Sequence, residues 1–137
     1  MAWLHAAPKP DERSRRAKIQ AEAPKVSRLD RMRAEGVTPP MPPNPLPHVV
    51  NRLVEIGLSE AAGMGVVPLS WREIEAWQRA TGVDLAPWEA RLIRHLSAEY
   101  VAQGRKAESE TCPPPWRVPV TSREIETEED RLRMLLG

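Results

Sequence analysis

The stretch PLSWREIEAWQRATGVDLAPWEARLIRHL, Pro68–Leu96, decides the fold, because it carries start and stop signals for two helices in a row. Ser70 stands where an N-cap belongs and Glu73 follows three positions later, the spacing of a capping box. Leu69 before the cap and Ile74 at the fourth helical position form the matching hydrophobic staple. Gly82 supplies a stop. Pro87 suits the first turn of the next helix, with Glu89 at its third position. Side chains three or four residues apart share a helix face. Trp71, Ile74 and Trp77 therefore share one side of the first helix. Trp88, Leu92, Ile93, Leu96 and Tyr100 stripe the second, which is predicted to run to about Gln103 and end at Gly104. Arg91, Arg94 and His95 fall on the side opposite that stripe.

Upstream, HVVNRLVEIGLSEAAG predicts a helix over 48–62. Val49, Val50, Leu53, Val54 and Ala61 lie on one broad stripe, and Gly57 in its middle would let another helix pack close. GMGVVP is then expected to be a loop. Strand-like alternation rises nowhere, so the expected fold is all-α: a three-helix core over 48–104, organised by Trp71, Trp77 and Trp88. A core of this size buries little surface by itself, and tryptophan is enriched among interface anchors. The same tryptophan-bearing stripes are therefore candidates for a protein interface.

Two proline-rich arms flank this core. Residues 1–47 hold nine of the 15 prolines and nine basic against five acidic residues, a net of +4. PPMPPNPLP, Pro39–Pro47, predicts an extended connector, because proline locks φ and removes a donor. SRLDRMRAEG offers one short helix with Ser27 as cap and Gly36 as stop. The rest of the arm is expected to be irregular unless a partner orders it. Residues 105–137 combine a rigid CPPPW with TSREIETEEDRLRMLLG, a short amphipathic helix capped at Thr121, striped by Ile125, Leu132, Leu135 and Leu136, and marginal alone. Trp3 and Trp116 sit in these arms with no core around them. They either fold back or anchor to a partner.

Most chemistry is disfavoured. The 137-residue chain has a net charge of +1, so no global field selects nucleic acid or a membrane. No signal peptide or membrane-length apolar run is read. The single cysteine, Cys112, fits a reducing compartment, and it precedes three prolines rather than a catalytic base. His5, His48 and His95 are too scattered for a metal site, and no cofactor is expected. Gly63–Gly65 is a bare GxG without a phosphate-loop context. Glu73 and Glu89 are accounted for as helix caps. A helix–turn–helix would place Arg91, Arg94 and His95 at a groove, but residues 48–104 carry five basic and seven acidic residues, and phosphate neutralisation needs the opposite balance.

Taken together, the Gly-Met-Gly segment, SWREIEAWQRATG (Ser70–Gly82), PWEARLIRHLSAEY (Pro87–Tyr100) and the flanks WLHAAPKP and CPPPW give the chain a family likeness. Over about residues 1–116 it resembles the tail assembly chaperones of tailed bacteriophages and prophages. The resemblance implies a small helical, non-enzymatic protein of the host cytoplasm. Such a chaperone binds the tape measure protein, the tail tube protein, or both, and keeps the long tape measure soluble until the tube polymerises around it. Self-association is compatible with that role. The family is often encoded as two products joined by a programmed frameshift, and a chain starting at its own Met1 is compatible with a free-standing downstream product. Two other classes compete: a small structural virion protein clamping its neighbours with both arms, and a helix–turn–helix DNA-binding protein.

Overall fold

Two glycines in the left-handed region set the lengths of the central helices. The computed structural model describes residues 1–10, 13, 24–116, 130, 131, 133 and 134. In chain order these form α1 (Ala2–His5), α2 (Arg28–Ala34), α3 (Pro47–Ile56), β1 (Glu60–Ala62), β2 (Gly65–Val67), α4 (Trp71–Thr81) and α5 (Pro87–Ala107). Gly82, at φ +68°, closes α4 as expected. Gly57, at φ +109°, closes α3, and its N–H reaches the Leu53 carbonyl at 3.1 Å. A residue with a Cβ is strained in that conformation, so the glycine acts as a cap and not as a site of close helix approach. The helix expected over 48–62 therefore stops at Ile56.

Past that cap the chain doubles back. Glu60 pairs with Val67, Ala61 with Val66 and Ala62 with Gly65, antiparallel around a Gly63–Met64 tip. The expected GMGVVP loop is the tip and second strand of this hairpin. The all-α reading needs this correction: the fold is mainly helical, with one small antiparallel sheet. Strands of three residues are too short to show alternation, and such a hairpin depends on what it docks against. Here β2 lies on α5.

The core is aliphatic. Val49 and Leu53 from α3, Leu69 and Ile74 around the start of α4, and Ile93 from α5 are buried together, with Ile56, Leu58, Leu85, Leu92 and Leu96 packed around them. The Leu69–Ile74 staple is thus part of the core itself. Trp71 and Trp88 do not organise it, being 52% and 48% exposed. Trp77 is half-buried, and its indole N–H has no hydrogen-bond partner among the described residues.

The buried line of α5 is Glu89, Ile93, Ser97 and Val101, one residue every four. It is rotated away from the apolar stripe expected through Trp88 because two of its members are polar residues satisfied inside the protein. Ser97 is wholly buried. Its Oγ accepts the Leu69 N–H at 2.9 Å and donates to the Leu58 carbonyl at 2.7 Å. One hydroxyl so ties both ends of the hairpin excursion to α5. The helix also runs through Gly104 to Ala107, past its expected end.

The N-terminal arm is not irregular throughout. α1 packs on α5 and touches α2. Ser27 caps α2 as expected, accepting the Asp30 N–H at 3.1 Å, and Gly36 follows at φ +71°. Most of the expected C-terminal helix, with Thr121, Ile125, Leu132, Leu135 and Leu136, lies outside the described residues. Asp130, Arg131, Arg133 and Met134 are helical.

Replacing Ser97 by Ala strands the Leu69 N–H in the core. The expected loss is about 1–3 kcal/mol of unfolding free energy, the cost of an unsatisfied buried donor, read from urea denaturation. A change within error would show that the hydroxyl bridge is dispensable.

Candidate protein-binding surface

Each exposed tryptophan sits in the first turn of a helix whose start is pinned. At the start of α5, Glu89 is buried and accepts the Ala86 N–H at 2.9 Å. Its other oxygen pairs with Arg52 of α3 and lies 3.5 Å from His48. This is half a capping box, since Ala86 has no side-chain oxygen to complete it. The ion pair joins α3 to α5, and the charge suits the positive end of the helix dipole. Trp88, the next residue back, is held beside α3 with its ring edge-on to His48, centroids 6.5 Å apart at 81°.

α4 starts differently from expectation. Ser70 Oγ accepts the Glu73 N–H at 3.2 Å, but the Glu73 carboxylate does not complete the box and is exposed. The Ser70 N–H donates instead to Glu60 Oε2 of β1 at 2.5 Å. The hairpin therefore supplies the second half of the cap. Trp71 follows, with the Arg94 guanidinium 5.4 Å from its ring centroid. Glu75 is paired with Arg79 on the same helix, as its i,i+4 spacing predicts. Met64 at the hairpin tip is fully exposed, and Val54, Val66 and Val67 are exposed as well.

The remaining two tryptophans meet each other. Trp3 and Trp116 lie edge-to-face with centroids 5.2 Å apart, and the Trp3 indole N–H donates to the Cys112 carbonyl at 3.0 Å. Of the two readings offered for these arm residues, the fold-back is the arrangement present. Arg28 closes the cluster. It is buried, stacks 4.5 Å over Trp3, and donates to the carbonyls of Trp3 at 3.2 Å, Ala107 at 2.6 Å and Ser109 at 2.8 Å. The Ala107 bond explains why α5 outlasts Gly104: a guanidinium caps its negative end. Burial lowers the Arg28 pKa below the ordinary guanidinium value. Nearby, Lys9 pairs with Glu108, and His5 Nδ1 meets the Tyr100 hydroxyl at 2.8 Å. Desolvation raises the Tyr100 pKa. A cleft of about 370 Å³ opens here, lined among others by Ala6, Val66, Tyr100, Gly104 and Arg105.

Of the residues singled out from the sequence, Ile74 is in the core, Leu92 and Leu96 border it, Trp77 and Tyr100 are half-buried, and Trp71 and Trp88 stand on the surface. Arg28, Arg52, Glu60 and Ser97 were not singled out. Only Ser97 left a trace in the sequence, four residues from Ile93 and four from Val101. Among the described residues, no group of three His, Cys, Asp or Glu side chains could hold a metal ion, and no helix is long and apolar enough to cross a membrane.

Two outcomes follow for the arm. Arg28→Ala should free α1, read as a red shift of Trp3 emission and faster proteolysis of the N-terminus. Arg28→Lys should not rescue it, because an ammonium lacks the planar fork. The His5 pKa is lowered from 6.5, first by desolvation, then by the N-terminal ammonium and Arg33. Folding of the arm thus favours neutral His5, so docking is fullest above about pH 6.5 and weakens as pH falls through the lowered value. His5→Gln should flatten that dependence in a Trp3 fluorescence titration.

With this geometry in hand, comparison with known protein families shows that residues 20–102 fit the family model described as phage tail assembly chaperone. No curated protein and no solved structure matches the chain.

Proposed function

The chain belongs to the phage tail assembly chaperone family, and from that membership we propose that it works in the host cytoplasm by holding the tape measure protein, the tail tube protein, or both, during tail assembly, without catalysing a reaction. The observation that supports this reading most directly is the pair of half-exposed tryptophans, Trp71 and Trp88, at the pinned starts of α4 and α5. A tryptophan held on a rigid helix presents a large apolar face at little further cost in conformational entropy, the property of interface anchors. A long helical client offers apolar stripes, and fixed aromatic anchors with an exposed Met64 on a hairpin tip can cover them without a pocket.

Co-expression tests the proposal. The tape measure protein should be recovered in the soluble fraction with this chain and in inclusion bodies without it. Trp71→Ala with Trp88→Ala should lower soluble client at least about tenfold, since loss of even one hot spot costs about 2 kcal/mol or more, while circular dichroism and melting stay close to wild type. Unchanged client solubility with and without the chain would overturn the proposal. A chaperone should also be missing from purified virions by mass spectrometry; its presence there at structural stoichiometry would favour a virion component instead.

A further inference from the structure

We infer that the Trp71–Arg94 face is the docking site for an acidic amphipathic helix of the client, read through carboxylates spaced one helical turn apart. The inference rests on the chaperone reading for its partner and adds the chemistry of the contact. Arg94 lies over Trp71 within cation–π range, and Arg91 is its i,i+3 neighbour on the same exposed side of α5. Neither arginine has a carboxylate partner or a hydrogen bond among the described residues, and Arg72, exposed beside Trp71 in the first turn of α4, has none either. Three carboxylates near these helix starts are already engaged, while Glu73 and Asp84 are exposed and make no ion pair among the described residues. Glu75 holds Arg79, Glu60 accepts the Ser70 N–H, and Glu89 is buried against Arg52.

The face is therefore half-exposed indole with guanidinium groups that make no ion pair among the described residues. With its guanidinium 5.4 Å from the indole centroid, Arg94 keeps N–H groups available for a bidentate carboxylate. Arg91 and Arg94 stand about one turn apart, roughly 5–6 Å. That spacing fits carboxylates at i and i+3 or i+4 of a partner helix, with an apolar residue of the same helix against the open part of Trp71. A long polyanion is a poorer fit, because residues 48–104 as a whole carry more acidic than basic groups.

A synthetic helix of roughly 15 residues, with glutamates one turn apart beside leucines, probes the face directly, against the same peptide carrying glutamines. The wild-type chain should bind the glutamate peptide about tenfold more tightly than the glutamine one. The preference should shrink between about 0.05 and 0.5 M salt. Arg91→Glu with Arg94→Glu should abolish it, and Arg79→Glu should leave it. Trp71→Ala should weaken both peptides. Equal binding of the two peptides, or an unchanged preference in the Arg91/Arg94 variant, would overturn the inference, as would a single-stranded DNA oligonucleotide that outcompetes the glutamate peptide. Co-expression with the tape measure protein separates the two levels. A wild-type chain that fails to solubilise it sinks the chaperone reading, whereas a wild type that succeeds alongside an equally effective Arg91/Arg94 variant sinks only the docking face.

Discussion

The buried hydroxyl of Ser97 is the constraint on which the arrangement of the other elements depends. The chain leaves α3 at Gly57, makes a hairpin, and returns at Leu69 to begin α4. Both ends of that excursion end in backbone groups that face the core, and both are satisfied by the same Oγ. A buried backbone group without a partner costs as much as a hydrogen bond gains, so the hairpin can leave the core only where such a bridge exists. Once the excursion is tied down, Glu60 is in position to accept the Ser70 N–H. The start of α4, and with it Trp71, is then fixed from a strand and not only from its own cap.

The same logic recurs at the two ends of α5. Its N-terminus is met by Glu89, which also takes Arg52 from α3, and its C-terminus by Arg28, which also takes Trp3. Each end of the long helix thus carries a side chain of the charge its dipole favours, and each of those side chains reaches a second element. The aliphatic core between them supplies the apolar burial. The charged groups decide which elements sit at which end, because a buried ionic group tolerates few alternative partners.

Much of the helical frame was legible, because its signals are local. The Ser70 cap, the Leu69–Ile74 staple, the Gly82 stop, the Pro87 start and the Glu75–Arg79 pair all act within one or two turns. What escaped acts across long separations. Gly57 looks like a mid-helix glycine until the residues after it pair as strands. Glu73 looks like the partner of Ser70 until Glu60 takes that place. Arg28 caps a helix that ends 79 residues later, and no local pattern can announce that bond. The candidate surface was half legible. The tryptophans were visible as apolar anchors, but the apolar period running from Trp88 along α5 suggested an inward stripe. The inward line runs instead through Glu89 and Ser97, two polar residues that a reading by hydrophobicity discards.

That displacement bears on function. Had the apolar stripe of α5 turned inward, Trp88 would have filled the core and a charged flank would have faced solvent. Because Glu89 and Ser97 find internal partners, the helix can rotate and keep its tryptophan outside. The internal polar bonds hold the frame rigid at the places where the aromatic side chains emerge. A surface built this way is pre-organised, so a client loses little of the contact energy to ordering the chaperone. The Arg28 clasp lies at the far end of α5, about five turns from Trp88, since Trp88 and Ala107 are separated by about 28 Å at 1.5 Å per residue. Among the described residues, Trp71 and Trp88 in the first turns of α4 and α5 stay about half exposed. Rotation of α5 about its own axis, set by two buried polar residues, is what leaves those turns open to a partner.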